Sequence, residues 1–118
     1  INSDGGVVVW NQESRSDNFR IETIGKNIKV IRFNPENNIL AIGDVSGNVE
    51  LWDINLRKKI SEVKAHTAQV NDIQFNNRLK QMATAGNDNS LKIFNIRYLF
   101  TEIYIHRGSV SSILMNMI

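Results

Sequence analysis

The sequence predicts an all-β protein that repeats one small antiparallel sheet, and two observations support this prediction. The segment 40–54 recurs 42 positions later as 82–96, and a shorter copy, 3–11, lies 42 positions upstream of the middle one. Short apolar stretches alternate with turn-forming residues, and no segment keeps a helical period. A fixed period near 40 residues is typical of proteins that stack one unit. Such a protein is expected to present a surface and not to house a reaction.

Each repeat is predicted to begin with a strand that carries a β-bulge. The apolar residues Ile31 and Phe33 lie three and five positions after Ile28, and the same spacing recurs 42 residues later. Strict alternation would separate them by two positions each time, so one extra residue must be accommodated. The following turn, 34–38, contains Pro35, whose fixed φ suits a turn.

Three further strands are predicted to complete each repeat. The third strand alternates cleanly, with Val49 and Leu51 on one face and Glu50 on the other. The fourth strand is more polar. Short strands joined by hairpin-length turns predict one antiparallel four-stranded sheet per repeat. The predicted strands of the two whole copies are 28–33, 39–43, 49–52 and 59–64, then 70–75, 81–85, 91–94 and 101–105.

Polar residues stand at fixed places in the third copy. His66 precedes the first strand, Thr84 lies in the second, and Asp88 lies in the turn six residues before Phe94. This arrangement resembles the WD40 repeat, the blade of a β-propeller. The resemblance implies a WD40-like β-propeller in which His66, Thr84 and Asp88 form a buried hydrogen-bonded network. Phe94 stands where the family has Trp and has no N–H to contribute.

The other copies keep different parts of the family pattern. The middle copy keeps Trp52-Asp53, and the first copy keeps Trp10. The resemblance therefore implies that Trp52 and Trp10 also belong to the structural network. At the family's His, Ser/Thr and Asp positions the middle copy has Ile24, Ile42 and Ser46.

The repeat register divides the chain into a partial blade over 1–24, blades over 25–65 and 66–105, and the first strand of a further blade over 106–118. The last unit is placed at His106 because the spacing His-x3-Val-x2-Ile that starts at His66 recurs there. Closed propellers have about 4–8 blades. We therefore expect an incomplete propeller, a fragment of a larger WD40-repeat protein. Its edges would meet the remaining blades of the same polypeptide or a second copy.

The composition limits the partners and the cellular compartment that we expect for this chain. No apolar run approaches the ~20 residues of a membrane span, so no membrane partner is predicted. The chain of 118 residues has no cysteine, which fits a reducing environment and leads us to expect an intracellular, cytoplasmic location. Fourteen basic and 12 acidic side chains give a net charge of +2. Because these charges are dispersed, a nucleic-acid partner is disfavoured.

No catalytic residue, cofactor or metal site is predicted. The two histidines could form a pair, but both stand at the structural His position of the repeat. The Asp box of sialidase-type propellers fails when counted back from Trp10 and from Trp52. Motifs for a nucleophilic serine, a phosphate-binding loop or a zinc protease are absent from the sequence. The predicted function is a non-catalytic protein–protein interaction scaffold. The alternatives are a propeller within an enzyme or signalling protein, and a nucleic-acid-binding propeller.

The resemblance also implies where a protein partner of unknown identity would bind. In the family, the partner-binding rim flanks the first strand and precedes the turn Asp. All the matching residues are polar or charged, so no large aromatic anchor is expected among them. These residues are Lys29, Gln69, Asn71, Asn87, Ser109 and Ser111.

Overall fold

The computed structural model describes residues 7–9, 19–21, 27–96 and 101–107, the last range by its backbone. This part of the chain forms ten strands in three sheets. The strands are β1 (Val7–Val9), β2 (Phe19–Ile21), β3 (Ile28–Asn34), β4 (Ile39–Asp44), β5 (Asn48–Asp53), β6 (Lys58–Lys64), β7 (Val70–Asn76), β8 (Gln81–Gly86), β9 (Ser90–Asn95) and β10 (Thr101–Arg107).

The second and third sheets are antiparallel meanders of four strands each. Their orders are β3-β4-β5-β6 and β7-β8-β9-β10, so every strand pairs with its neighbour along the chain. The first sheet pairs β1 with β2 and opposes Val7 to Ile21, as the second sheet opposes Val49 to Val63. The all-β fold and the four-stranded repeating unit predicted from the sequence are therefore confirmed.

The predicted bulge lies at the start of the first strand in both complete sheets. Pairing between β3 and β4 shifts between Ile28 and Val30, and pairing between β7 and β8 shifts between Val70 and Asp72. The extra residue changes the alternation, so that Val70 and Ile73 are both fully buried although they lie three positions apart.

The turn between β4 and β5 depends on Gly47, whose φ is +95°. A Cβ at Gly47 would overlap the backbone carbonyl of His66. The N–H groups of Ala65 and His66 both donate to the Gly47 carbonyl, at 3.0 Å each. The turn and the loop that follows β6 therefore touch through backbone atoms, and a side chain at this position would separate them. Asn89, with φ +61°, stands at the matching place in the third sheet.

The apolar core lies between adjacent sheets. Val49 and Met82 belong to a buried cluster that joins the second sheet to the third. Val7 and Leu40 belong to a separate cluster that joins the first sheet to the second. Both members of the second pair lie 42 positions before their counterparts in the first pair. The same junction is thus built twice from equivalent residues.

Polar contacts cross the junction between the second and third sheets as well. Arg32 Nε donates to the carbonyl of Ile73 at 2.9 Å, and Arg32 Nη2 lies 3.3 Å from Asp72 Oδ1. At the same junction, Lys80 Nζ lies 2.7 Å from Glu36 Oε1. Such exposed ion pairs contribute little free energy individually.

One predicted boundary differs from the structure. We expected the third blade to end at residue 105 and a further blade to begin at His106, but β10 continues to Arg107. His106 pairs with Leu91, as Val63 pairs with Val49. The cause is a connection between β9 and β10 that is one residue longer than the one between β5 and β6. His106 therefore falls within a fourth strand. Residues 108–118 and most of 1–24 lie outside the described residues.

Candidate protein-binding rim and its buried support

The loop that leads into β7 carries His66, whose ring is fully buried and hydrogen-bonded on both nitrogens. Nδ1 lies 2.9 Å from Asp88 Oδ1, and Nε2 lies 2.8 Å from Thr84 Oγ1. The roles that satisfy all partners are an Nδ1–H that donates to the carboxylate and an Nε2 that accepts from the Thr84 hydroxyl. The structure thus brings together the three residues of the third copy that the resemblance assigned to a network.

Ser90 is a fourth member that sequence reasoning missed. Its hydroxyl donates to Asp88 Oδ1 at 2.6 Å and lies 2.9 Å from His66 Nδ1. The available signal was the spacing of Asp88 and Ser90, because a carboxylate often bonds groups two residues further along a turn. Phe94 is buried but contributes no hydrogen bond to this network, as expected.

The network holds a neutral imidazole beside an ionised carboxylate. Burial lowers the pKa of His66 below its ordinary value of 6.5, although Asp88 opposes this shift. Burial raises the pKa of Asp88, but the hydrogen bonds from Ser90, the Thr67 N–H and His66 outweigh it and hold that pKa well below its ordinary value. A neutral histidine with both nitrogens satisfied serves as a structural link between strands.

Asp88 also fixes the backbone of two loops. Its Oδ2 accepts from the N–H of Thr67 at 3.0 Å, and its Oδ1 accepts from the N–H of Ser90 at 3.2 Å. The loop before β7 and the turn between β8 and β9 are therefore tied to one carboxylate. These loops carry the predicted rim residues Gln69 and Asn87.

Among the described residues, the middle copy has no equivalent network. Ile42 is buried at the Thr position and packs in an apolar cluster with Trp52. We expected Trp52 to join a network, but its buried Nε1 has no hydrogen-bond partner among the described residues. The reason is that Ile42 offers no oxygen where Thr84 has a hydroxyl. In this copy Asp44 stabilises the turn between β4 and β5. Its Oδ1 accepts from the N–H groups of Ser46 and Asn48 at 2.9 and 3.0 Å.

Three predicted rim residues form one chain of amide hydrogen bonds. Gln69 Nε2 donates to Asn71 Oδ1 at 3.1 Å, and Asn71 Nδ2 donates to Asn87 Oδ1 at 2.6 Å. The backbone N–H of Asn87 donates to the Gln69 carbonyl at 2.8 Å, which closes the arrangement. These residues lie at the sheet end that carries Gly47 and the loop 65–69. We call them the amide rim.

The other predicted rim and network residues are placed as follows. Lys29 is exposed in β3 of the neighbouring sheet, close to the same end. Among the described residues, the hydrogen bonds of the amide rim do not include Lys29. Ser109, Ser111 and Trp10 lie outside the described residues, so their assignments stay predictions.

Neither a metal site nor a membrane-spanning helix is found among the described residues. In that part of the chain, no three His, Cys, Asp or Glu side chains are grouped in a way that could hold a metal ion. In the same residues, no helix has both the length and the apolar character needed to cross a membrane.

Known proteins show several similarities to this chain. Residues 7–110 match the family model of the eukaryotic translation initiation factor eIF2A. The WD repeat-containing protein 91 homolog of Dictyostelium discoideum is 27% identical over 94 residues, which cover 80% of this chain and 12% of that protein. Eukaryotic translation initiation factor 3 subunit I of Drosophila mojavensis is 26% identical over 107 residues, covering 85% of this chain and 33% of that protein.

A solved structure has the same fold. A chain in the crystal structure of the mitotic checkpoint complex superposes with a TM-score of 0.76 at 17% sequence identity. The superposition covers 88% of this chain and 32% of that chain. At this level of identity the likeness shows the fold alone, which is that of a WD40 propeller. Because the eIF2A model matches most of the sequence and relatives are WD-repeat proteins, this chain belongs to the eIF2A family of WD40-type repeat proteins.

Proposed function

We propose that this chain is a non-catalytic protein-interaction scaffold, an arc of a longer WD40-repeat propeller that binds a protein partner through the amide rim. The observation that carries the proposal is the hydrogen-bonded series Gln69, Asn71 and Asn87 on the solvent-accessible end of the third sheet. Catalytic, cofactor and metal sites form no part of the proposal.

The chemistry of the amide rim suits a protein backbone as its ligand. Each amide group can donate and accept, and the series uses one donor of Gln69 and the acceptor of Asn87. The side-chain oxygen Oε1 of Gln69 and the side-chain Nδ2 of Asn87 therefore remain to accept from and donate to a partner. An uncharged surface of this kind favours peptide groups over phosphates, which require cationic side chains.

The buried network supports binding because it reduces the cost of ordering the rim. Asp88 holds Thr67 and Ser90, which flank the loops of Gln69 and Asn87. Side chains that are already ordered lose less conformational entropy when a partner binds. Lys29, and Ser109 and Ser111 as predicted from the sequence, would extend the proposed rim to either side.

The relatives support a role in assemblies. One is named as a subunit of eukaryotic translation initiation factor 3. The chain spans 12% and 33% of the lengths of the two relatives described above. We therefore propose two kinds of partner for this chain. One is the remaining blades of the same polypeptide, or a second copy, and the other is a separate protein. The proposed location is intracellular.

A matched pair of triple variants tests the proposed rim. One variant carries Gln69→Ala, Asn71→Ala and Asn87→Ala. The control carries Asn55→Ala, Glu36→Ala and Lys80→Ala at the opposite end of the sheets, where Glu36 and Lys80 form an exposed ion pair. Both variants keep the net charge of the native chain. We expect the rim variant to lose partners that the native chain and the control variant capture, as quantified by mass spectrometry. Equal capture by all three proteins would refute the proposal that the amide rim binds the partner.

A narrower role in translation initiation is the second candidate, and it is favoured by the eIF2A family match and by the relative in initiation factor 3. Co-sedimentation with small ribosomal subunits tests it. Retention by the native chain and loss by the rim variant would support this role. Absence of the native chain from the ribosomal fractions would count against it without affecting the general proposal.

A further inference from the structure

Three hairpin turns lie side by side at the end of the sheets opposite to the amide rim. The N–H of Ile54, in the second turn, donates to the carbonyl of Asn38 in the first turn at 3.0 Å. Lys80 of the third turn forms its ion pair with Glu36 of the first turn. The three turns therefore present one continuous surface. In chain order they are 35–38, 54–57 and 77–80.

The second and third turns are built alike, and each projects a leucine from its third position. The N–H of Leu56 donates to Asp53 Oδ1 at 2.9 Å, and the N–H of Leu79 donates to Asn76 Oδ1 at 3.2 Å. Leu56 keeps 66% of its surface exposed and Leu79 keeps 46%. A side-chain oxygen three residues earlier thus fixes the backbone of each leucine, while the apolar side chain stays in contact with water.

A cation follows each of these leucines in left-handed backbone. Arg57 has φ +55° and Lys80 has φ +54°. The first turn has Asn38 at the matching position, with φ +57°. Asparagine adopts this conformation more readily than a long side chain does. The geometry of the turn therefore favours asparagine and does not account for the two cations.

The charge of this end is positive around both leucines. Residues 54–57 and 77–80 include Arg57, Arg78 and Lys80 and contain no Asp or Glu. Lys58, which is exposed, follows the second turn directly. A single exposed leucine needs no explanation. The same combination of a projecting leucine and cations, built twice on neighbouring turns, indicates a ligand that is both apolar and anionic.

We propose that this end of the sheets is a docking surface for a lipid bilayer that contains anionic lipids. Leu56 and Leu79 would enter the boundary between headgroups and acyl chains, and the neighbouring cations would lie against lipid phosphates. Projecting apolar tips suit a deformable layer, which needs no pockets of matching shape. RNA would attract the cations, but it binds through stacking on aromatic side chains and offers leucine little.

This contact is peripheral and separate from the amide rim. The expectation that the chain has no membrane partner depends on the absence of an apolar run of spanning length. Side chains that enter only the surface of a bilayer require no such run.

Vesicle sedimentation tests the role of the leucines. The native chain is mixed with vesicles of phosphatidylcholine and phosphatidylserine, or of phosphatidylcholine alone. A double variant carries Leu56→Asn and Leu79→Asn, which take their replacement from Asn37 at the third position of the first turn. We expect the native chain to sediment with the anionic vesicles only, and the double variant to bind them at least about tenfold more weakly.

A matched pair of charge variants tests the cations. Arg57→Asn removes a cation from the second turn and places asparagine in left-handed backbone, as at Asn38. Lys64→Asn removes an exposed cation at the end that carries the amide rim. We expect Arg57→Asn to weaken binding to anionic vesicles about fivefold and Lys64→Asn to leave it within about twofold.

A fluorescent label shows which end meets the bilayer. Because the chain has no cysteine, Asn55→Cys or Thr67→Cys provides a single attachment site for an environment-sensitive dye. We expect anionic vesicles to shift the emission to shorter wavelength from position 55 and not from position 67.

Four results would overturn the proposal. They are no sedimentation with anionic vesicles, equal binding to both kinds of vesicle, equal losses in Arg57→Asn and Lys64→Asn, and full binding by the leucine double variant. The last result would show a purely electrostatic contact, which any polyanion such as RNA could make.

Discussion

Asn34 and Asn77 exchange side-chain hydrogen bonds across the junction between the second and third sheets. Asn34 Nδ2 donates to Asn77 Oδ1 at 2.8 Å, and Asn77 Nδ2 donates to Asn34 Oδ1 at 3.0 Å. Asn34 is 1% exposed, so its Nδ2 depends on Asn77 for a hydrogen bond, whereas its Oδ1 also accepts from the N–H of Glu36 at 3.3 Å. The pair thus links two repeats that also pack through a buried apolar cluster.

This reciprocal pair predicts strong coupling between the two residues. Asn34→Ala and Asn77→Ala should each lower the free energy of unfolding by about 1–3 kcal/mol, because each leaves a polar partner without its bond. The double variant should lose less than the sum, with a coupling energy of about 0.5–3 kcal/mol. Urea unfolding of the native chain and the three variants measures it. Additive losses would show that the two amides act separately.

The His66 network predicts that Asp88 stabilises the fold. Asp88→Ala removes the acceptor for His66, Ser90 and the N–H of Thr67, and should cost about 1.5–3 kcal/mol. Asn55→Ala, in an exposed turn, is the control and should change stability by less than about 0.5 kcal/mol. Thermal unfolding compares the two. A melting temperature for Asp88→Ala equal to that of the control would contradict a stabilising role for the network.

The lowered pKa of His66 predicts a loss of stability in mild acid. The folded state binds the imidazole proton less readily than the unfolded state, whose pKa is the ordinary 6.5. Stability should therefore be fully present above pH 6.5 and decrease as the pH falls below it. Protonation of Asp88 adds a further loss only below its ordinary pKa of 3.8. Urea unfolding at pH 7.5 and pH 5.5 measures the first effect.

Two histidine variants identify the group responsible for that decrease. His66→Gln should flatten the dependence between these pH values, whatever its effect on absolute stability. His106→Gln leaves His66 in place and should retain the decrease. An unchanged pH dependence in His66→Gln would assign the effect to another group.

The contact between Gly47 and the His66 carbonyl predicts a strict requirement for glycine. Gly47→Ala should lower the free energy of unfolding by more than about 1 kcal/mol, because it adds both a clash and an unfavourable φ. Asn89 occupies the matching turn position with φ +61°. Asn89→Gly should be nearly neutral, since glycine adopts this conformation readily. Comparable losses for both variants would contradict the role of the close contact.

Much of the fold could be predicted from the sequence because the residues that determine it are close together in the chain and recur in each repeat. The 42-residue period and the spacing of Ile28, Ile31 and Phe33 indicate four-stranded units with a bulge in the first strand, as the structure has them. The structure differs from the sequence pattern at His106 because a motif of three residues does not report the length of the preceding connection. One extra residue before β10 moves His106 into the fourth strand.

The site could be predicted only in part. Family positions indicate His66, Thr84 and Asp88. The contacts of Ser90, and the lack of a partner for Trp52 Nε1 among the described residues, depend on which side chains face one another across strands. Likewise, the rim positions follow from the repeat, whereas the hydrogen bonds among their amides depend on rotamers that a sequence pattern does not contain.

Site-specific photo-crosslinking tests the protein-binding rim most directly. A photoreactive residue replaces Thr67, which is exposed beside the amide rim, or Asn55, which is exposed at the opposite end of the sheets. The chain is irradiated in its own cells, and the crosslinked proteins are quantified by mass spectrometry. The account predicts a defined protein partner crosslinked from position 67, weakly or not at all from position 55, and lost when Gln69, Asn71 and Asn87 are changed to Ala. A partner crosslinked equally from both positions, or retained in the triple variant, would contradict it.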